Sequence, residues 1–175
     1  MKKYHTIVVA LHWVLALGII FSLAAGSLML AETPNSDPSK MNGLAIHMGI
    51  GIVILLLTLV RIVARVRTGT PDPVAGGNPM LEKLAHATHG LLYLGVIVMG
   101  ISGISMALAD DLGGIVYFGS GEPLPENFDD LAPRFVHGLV ATGLMVLIAL
   151  HFLAAVYHQH VLKDGLMSRM GFRDK

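Results

Sequence analysis

Nine histidines in a chain of 175 residues without a single cysteine are the side chains with chemistry to offer. Seven of them lie in or directly beside long apolar runs: His12, His47, His86, His89, His137, His151 and His158, with His5 and His160 at the edges. An ionisable group inside apolar sequence is costly and is kept for a function. The spacing of two of them is informative. His137 and His151 are fourteen residues apart, about 21 Å along a helix, and at about 100° per residue they return to nearly the same face. One helix thus presents two imidazoles on one stripe at two depths. By position along their own runs, His47 matches His137 and His12 matches His151. Two stacked histidine pairs point to haem iron, which takes neutral imidazole ligands. Without cysteine there is no Cys-x-x-Cys-His attachment, no thiolate cluster and no disulfide, so the haem is of the b type.

A flat macrocycle needs room beside its ligand. On a helix the residue four positions on lies one turn above on the same face. Those residues are Ala16 after His12, Gly51 after His47, Ala141 after His137 and Ala155 after His151, and all are small. Tyr93 follows His89 and Leu162 follows His158, both bulky. Gly90 follows His86, so His86 competes for the second inner ligand position. A lone intramembrane histidine is most often an interhelical hydrogen-bond donor. His86-x-x-His89 and His158-x-His160 could bind zinc, but no carboxylate or cysteine stands beside them in the runs. Met99 and Met106 are more simply packing residues than axial ligands. Gly95, Gly100, Gly103, Gly138 and Gly143 read as close-packing positions between helices.

The elements that carry these residues are four apolar runs, residues 8–30, 44–66, 84–108 and 134–157, each longer than the about 20 residues a membrane-crossing helix needs. Composition agrees. Hydrophobic residues make up 54% of the chain and charged residues 14%, with mean hydropathy +0.67. That leaves too little polar surface to cover a water-soluble globule, which carries about 25% charged residues. Twelve basic and twelve acidic residues cancel, so no nucleic-acid partner is expected. The expected fold is an all-α membrane protein: a four-transmembrane-helix bundle forming one integral-membrane domain over residues 1–175, set in the lipid bilayer.

Basic residues orient it. Lys2, Lys3, Arg61, Arg65, Arg67, Lys83, Lys163, Arg169, Arg173 and Lys175 belong to the termini and the middle connector, whereas only Lys40 and Arg134 belong to the other two connectors. By the positive-inside rule both termini are cytoplasmic. The long connector with Asp110, Asp111, Glu122, Glu126, Asp129 and Asp130 then faces outward. A cleavable signal peptide ending near Ala24-Ala25-Gly26 fits less well, because its apolar run is too long and cleavage would leave an odd number of spans. No internal repeat is present.

Several of these runs resemble the bacterial cytochrome b561 family. They are His12-Trp13 opening the first helix, then Asn42, His47, Gly51, Arg61 and Arg65 along the second. Leu84-Ala85-His86, His89 and Leu92-Tyr93 follow, then His137 and the stretch from His151-Phe152-Leu153 to His158, and the tail Lys163-Asp164-Gly165-Leu166. The match runs through nearly the whole chain in one order. The resemblance implies two b-type haems and electron transfer with ubiquinone in the bacterial inner membrane. Within the family the chain looks like the superoxide oxidase type, in which periplasmic superoxide gives up an electron that reaches ubiquinone. Carried over by position, His47 and His137 are the axial ligands of the outer haem and His12 and His151 those of the inner one, all four binding iron. The quinone pocket falls around Trp13, His86, His89 and His158. A quinone-side lysine in the middle connector is not evident, Lys83 standing only at its end. At the outer face Lys40 and Arg134 are the candidates for steering superoxide, opposed by the six carboxylates of the long connector. The second reading is a haem-bearing membrane anchor that carries electrons between quinone and a partner dehydrogenase or hydrogenase. A third is a haem-free metal-binding or structural bundle.

Overall fold

The computed structural model describes residues 3–72 and 79–172. Lys2, Arg173 and Lys175 of the basic bias, and Pro73, Gly76 and Gly77 of the middle connector, lie outside the described residues. Among the described residues the structure is helical, with no strand. The chain runs through α1 (Thr6–Ala25), α2 (Ser39–Thr68), α3 (Pro79–Ala109), the short α4 (Leu112–Tyr117) and α5 (Ala132–Tyr157). Single π turns extend α1 over Gly26–Leu30 and α5 over His158–Leu162, and a 3₁₀ turn over Leu166–Met170 follows.

With their π turns, four helices of 25, 30, 31 and 31 residues are long and apolar enough to cross a membrane. At 1.5 Å per residue even the shortest spans about 37 Å, more than the about 30 Å of bilayer hydrocarbon. Each helix runs two to five residues past an end of its apolar run, because the polar turns at its ends stay hydrogen-bonded. Their boundaries have local causes. The His5 ring accepts the Ile7 N–H at 3.3 Å and caps α1. Asp37 accepts the Ser39 N–H at 2.8 Å ahead of α2, and this bond holds its carboxyl below the ordinary value. Gly69, at φ +74°, ends α2 in a conformation open to glycine. Pro133 stands in the first turn of α5, where its missing N–H costs nothing.

Helices α1 and α2 pack together, α3 packs on α5, and α2 packs on α3. The starts of α1 and α3 and the ends of α2 and α5 form one end of the bundle, the terminus end. The α1–α2 connector and the stretch containing α4 form the other, the loop end. There the Asn35 amide donates to Pro125 O at 2.7 Å and the Tyr117 hydroxyl to Ala45 O at 2.5 Å. These bonds tie both connectors and α4 to the start of α2. Helix α4 was not expected, since Gly113 and Gly114 are weak helix formers. It begins at Asp111, which sits at φ +45° and caps Gly114.

The core is narrow: Val8, Val9, Leu15, Leu44, Val96, Leu112 and Leu144 are its buried apolar side chains among the described residues. Large apolar side chains instead face outward, Leu17 at 71% exposure and Phe135 at 72%. In water such a surface would aggregate; in lipid it is solvated, and helices associate by close packing rather than hydrophobic burial. That packing runs through glycine. A Cβ on Gly95 would stand 2.7 Å from Leu144 Cδ2, and one on Gly100 3.0 Å from Leu55 Cδ2. Gly143 departs from the expectation of close packing: a Cβ there would meet nothing within 4 Å.

Leu144, seven residues from both His137 and His151, is the plug at mid-bundle, and Gly95 makes its space. Gly95→Ala is expected to lower stability by about 1–3 kcal/mol through overpacking. A second change, Leu144→Val, should recover part of it. Thermal unfolding midpoints of the three proteins in one detergent check this; equal midpoints would mean that α3 and α5 do not meet there.

Candidate functional site

Four histidines converge from three helices. At the loop end the rings of His47 on α2 and His137 on α5 have centres 6.2 Å apart, inclined at 69°. At the terminus end His12 on α1 and His151 on α5 lie 6.3 Å apart at 73°. An imidazole nitrogen binds a first-row metal at about 2 Å, and its ring centre lies about 1 Å further on, so two rings on one iron have centres about 6 Å apart. Both pairs match that separation.

The hydrogen bonds around His137 select the nitrogen that would bind. The Ser102 hydroxyl donates its one proton to Met99 O at 3.0 Å. It can therefore only accept from His137 Nδ1, also at 3.0 Å. Nδ1 then carries the ring proton and Nε2 keeps its lone pair for a metal. On the opposite ring Ser22 Oγ lies 3.4 Å from His47 Nδ1, a longer version of the same arrangement. Glycines admit the rings: a Cβ on Gly26 would stand 3.2 Å from His47 Cε1, and one on Gly103 3.3 Å from His137 Cε1. Gly26 opens the π turn at the end of α1, a distortion frequent at functional sites. A Cβ on Gly51, one turn beyond His47, would meet nothing within 4 Å, so there is open space beside that ring. Ring separation, tautomer and open space all fit a bis-imidazole haem.

The terminus end is more crowded. His89 brings a third ring 5.3 Å from His151 and donates Nδ1–H to Ala85 O at 2.6 Å, which leaves its own Nε2 as an acceptor. His86, the sequence competitor, is exposed and bonds Glu82 O through Nδ1 at 2.9 Å; His89 stands beside the pair in its place. Trp13 meets His12 edge-on at 5.2 Å, and its indole N–H donates to Met170 O at 2.9 Å. With Tyr4 N–H on Arg169 O, this folds the tail across the terminus end. His158, in the second π turn, bonds Asp164 at 2.5 Å, and Asp164 also accepts the Leu166 N–H. Burial works to raise the Asp164 carboxyl, but these bonds outweigh it and hold the group below its ordinary value. Trp13 and His89 therefore adjoin the His12–His151 pair, His158 belongs to the tail turn, and His86 lies outside the group.

The two steering candidates are not alike. Lys40 is buried, its ammonium turned onto Thr33 O, while Arg134 is half-buried beside Phe135, Leu139 and Thr142 and lines a recess with Asp129. The positive charge of Arg134 acts on Lys40.

Three features escaped the sequence reading. Ser102 lies 35 residues from the histidine it orients, and no local pattern marks it. Tyr93 was read as crowding beside His89, yet its hydroxyl accepts from Arg61, whose guanidinium also lies 5.4 Å from the Tyr93 ring centre. Asp164 had a signal only in its position six residues after His158.

Comparison with known proteins gives the family. The family model for prokaryotic cytochrome b561 matches residues 3–173. The chain is 36% identical over 173 residues to a protein of Yersinia pestis named probable superoxide oxidase CybB, covering 97% of this chain and 96% of that one. It is 31% identical over 171 residues to cytochrome b562 of Cereibacter sphaeroides, covering 95% and 94%, and 28% identical over 174 residues to cytochrome b561 homolog 2 of Escherichia coli, covering 97% and 91%. With four apolar helices long enough to span a membrane, the chain belongs to the prokaryotic cytochrome b561 family of multi-pass membrane proteins that transfer electrons by haem b.

Proposed function

We propose that this protein is a di-haem superoxide:ubiquinone oxidoreductase, folded as one integral-membrane domain with both termini in the cytoplasm. The overall reaction takes two superoxide anions, one ubiquinone and two protons to two dioxygen molecules and one ubiquinol. The observation that carries the reading is the pair of imidazole couples, 6.2 and 6.3 Å between ring centres, at opposite ends of α5. Similarity over nearly the full length to a protein named probable superoxide oxidase supports the choice of donor. The basic bias of the terminus end supports the orientation.

In this reading His47 and His137 hold the outer haem and His12 and His151 the inner one. Haem b, when bound, supplies one-electron iron chemistry. The protein's own residues do the rest. Ser102 fixes His137 with its metal-binding nitrogen unprotonated. Ala16, Gly51, Ala141 and Ala155 keep the adjoining turn thin. At the cytoplasmic end Trp13, His89 and His158 border the quinone, and the His158–Asp164 pair passes protons toward it. Arg134 draws the superoxide anion toward the outer pair.

Two measurements test the reading together. Detergent-purified protein expressed with ample haem should carry about two haems per chain, and superoxide generated in situ should reduce added ubiquinone at a rate that superoxide dismutase abolishes. Two haems with no superoxide-dependent reduction would favour the membrane-anchor reading, and no haem would exclude both. His137→Ala should remove the outer haem and spare the inner one, and His12→Ala should do the reverse; haem extraction and reduced-minus-oxidised spectra distinguish them. Ser102→Ala leaves the ligand in place but frees its Nδ1. It should weaken retention of the outer haem about 10–100-fold, with the inner haem unchanged, as followed by haem transfer to an apo-globin acceptor.

A further inference from the structure

Arg61 is a cation inside the membrane-spanning part of α2 whose partners are incomplete. Its Nη1 donates to the Tyr93 hydroxyl and its guanidinium lies 5.4 Å from the Tyr93 ring centre. Its Nε is buried and has no hydrogen-bond partner among the described residues. Its neighbours are the neutral Tyr93 hydroxyl and the like charge of Arg65, and no carboxylate among the described residues pairs with it. Helices α1, α2 and α5 contain no Asp or Glu, and in α3 there is only Glu82, at its start. A buried charge without a counter-charge is strongly disfavoured, in lipid above all. Among the described residues no carboxylate supplies the counter-charge.

Position bears on what supplies that charge. Arg61 stands fourteen residues after His47, the same interval that separates His137 from His151, so it lies close to the face of His47 at the depth of the inner pair. It holds the hydroxyl of Tyr93, one turn along α3 from His89, whose ring lies 5.3 Å from that of His151, and this places it beside the inner couple rather than out at the helix end. Arg65 lies one turn further toward the terminus end on the same helix face. The outer pair differs: Arg134 shares its recess with Asp129, a carboxylate of the chain itself. Haem b carries two propionate carboxylates, the one anionic group that the proposed cofactor brings to this depth.

We infer that Arg61, held by Tyr93 and backed by Arg65, is the seat of a propionate carboxylate of the inner haem. This rests on the two-haem reading. Arginine's planar fork suits a carboxylate, and Tyr93 engages one nitrogen while Nε remains for the ligand. A phospholipid phosphate offers the same anionic oxygens and is the other source of the counter-charge.

The test compares haem with its dimethyl ester, which has the same ring and no carboxylates. Both are titrated into the full-length His137→Ala protein, which retains the inner site, with and without Arg61→Gln. Expected is a preference for haem over the ester of about tenfold or more, the worth of a hydrogen bond to a charged group, and its loss in Arg61→Gln. No preference in the parent, or one that survives Arg61→Gln, would overturn the inference, the second result leaving the arginine to lipid phosphate. Should Arg61→Gln not insert, Arg61→Lys serves, since it keeps the charge but not the fork: a reduced preference supports the pairing and an unchanged one overturns it. A parent protein that binds neither form overturns the two-haem reading and this inference with it, whereas a parent that binds both forms equally overturns only the inference.

Discussion

A neutral imidazole in a bilayer has two nitrogens to satisfy and no water to satisfy them, and the structure is arranged around that requirement. One nitrogen must donate within the protein, and the other is left with a lone pair directed at a metal or a donor. For His137 the first need is met by Ser102, whose proton is already committed to Met99 O. For His89 it is met by the backbone of its own helix, at Ala85 O. The small residues follow from the same need. Gly26 and Gly103 stand where a Cβ would press on the rings of His47 and His137, so the helices can bring serine and histidine into hydrogen-bond range. The π turn starting at Gly26 then carries the chain past His47 into its connector.

The same logic explains an unusually thin core. Soluble bundles bury a broad apolar stripe, but here the buried apolar set is small and the large side chains point outward. Lipid accepts them, so hydrophobic burial does not hold the helices together. Glycine-mediated approach does: Gly95 against Leu144, Gly100 against Leu55. Leu144 lies midway between the two histidines of α5, so the tightest helix contact coincides with the division between the two sites. Each site can be open beside its rings because the packing is concentrated between them.

The sequence disclosed what is periodic along one helix and hid what is made between helices. Four apolar runs, the fourteen-residue interval of His137 and His151, and the depth-matching of His47 and His12 are one-dimensional facts, and they were legible. The ring couples at 6.2 and 6.3 Å agree with that matching. Ser102 was not legible, because a serine on an apolar helix acquires meaning only from the ring across from it. Nor was the choice between His86 and His89. They are three residues apart, and small rotations of α3 decide which one reaches His151; the small neighbour Gly90 favoured His86, but it is the ring of His89 that stands 5.3 Å away. Helix α4 and the tail turn were missed because both are short and held by distant bonds, Tyr117 to Ala45 and Trp13 to Met170.

Comparison of α2 with α5 shows why three helices are needed to make two pairs. Both carry a polar residue at loop-end depth and another fourteen residues later. On α5 these are His137 and His151; on α2 they are His47 and Arg61. Had α2 carried a second histidine, two helices would suffice. With a cation in that place the inner partner must come from elsewhere, and α1 supplies it as His12, its ring facing His151. Helix α5 consequently faces α2 at the loop end and α1 at the terminus end. That choice also sets a cation beside the inner couple. At the loop end Arg134 has both Asp129 and the Lys40 ammonium close by, while at the terminus end Arg61 has tyrosine and another arginine for company. A positive charge beside a couple stabilises an added electron there, so Arg61 favours an electron at the inner couple. In the proposed reading that is the direction in which electrons have to move, from the loop end toward the quinone.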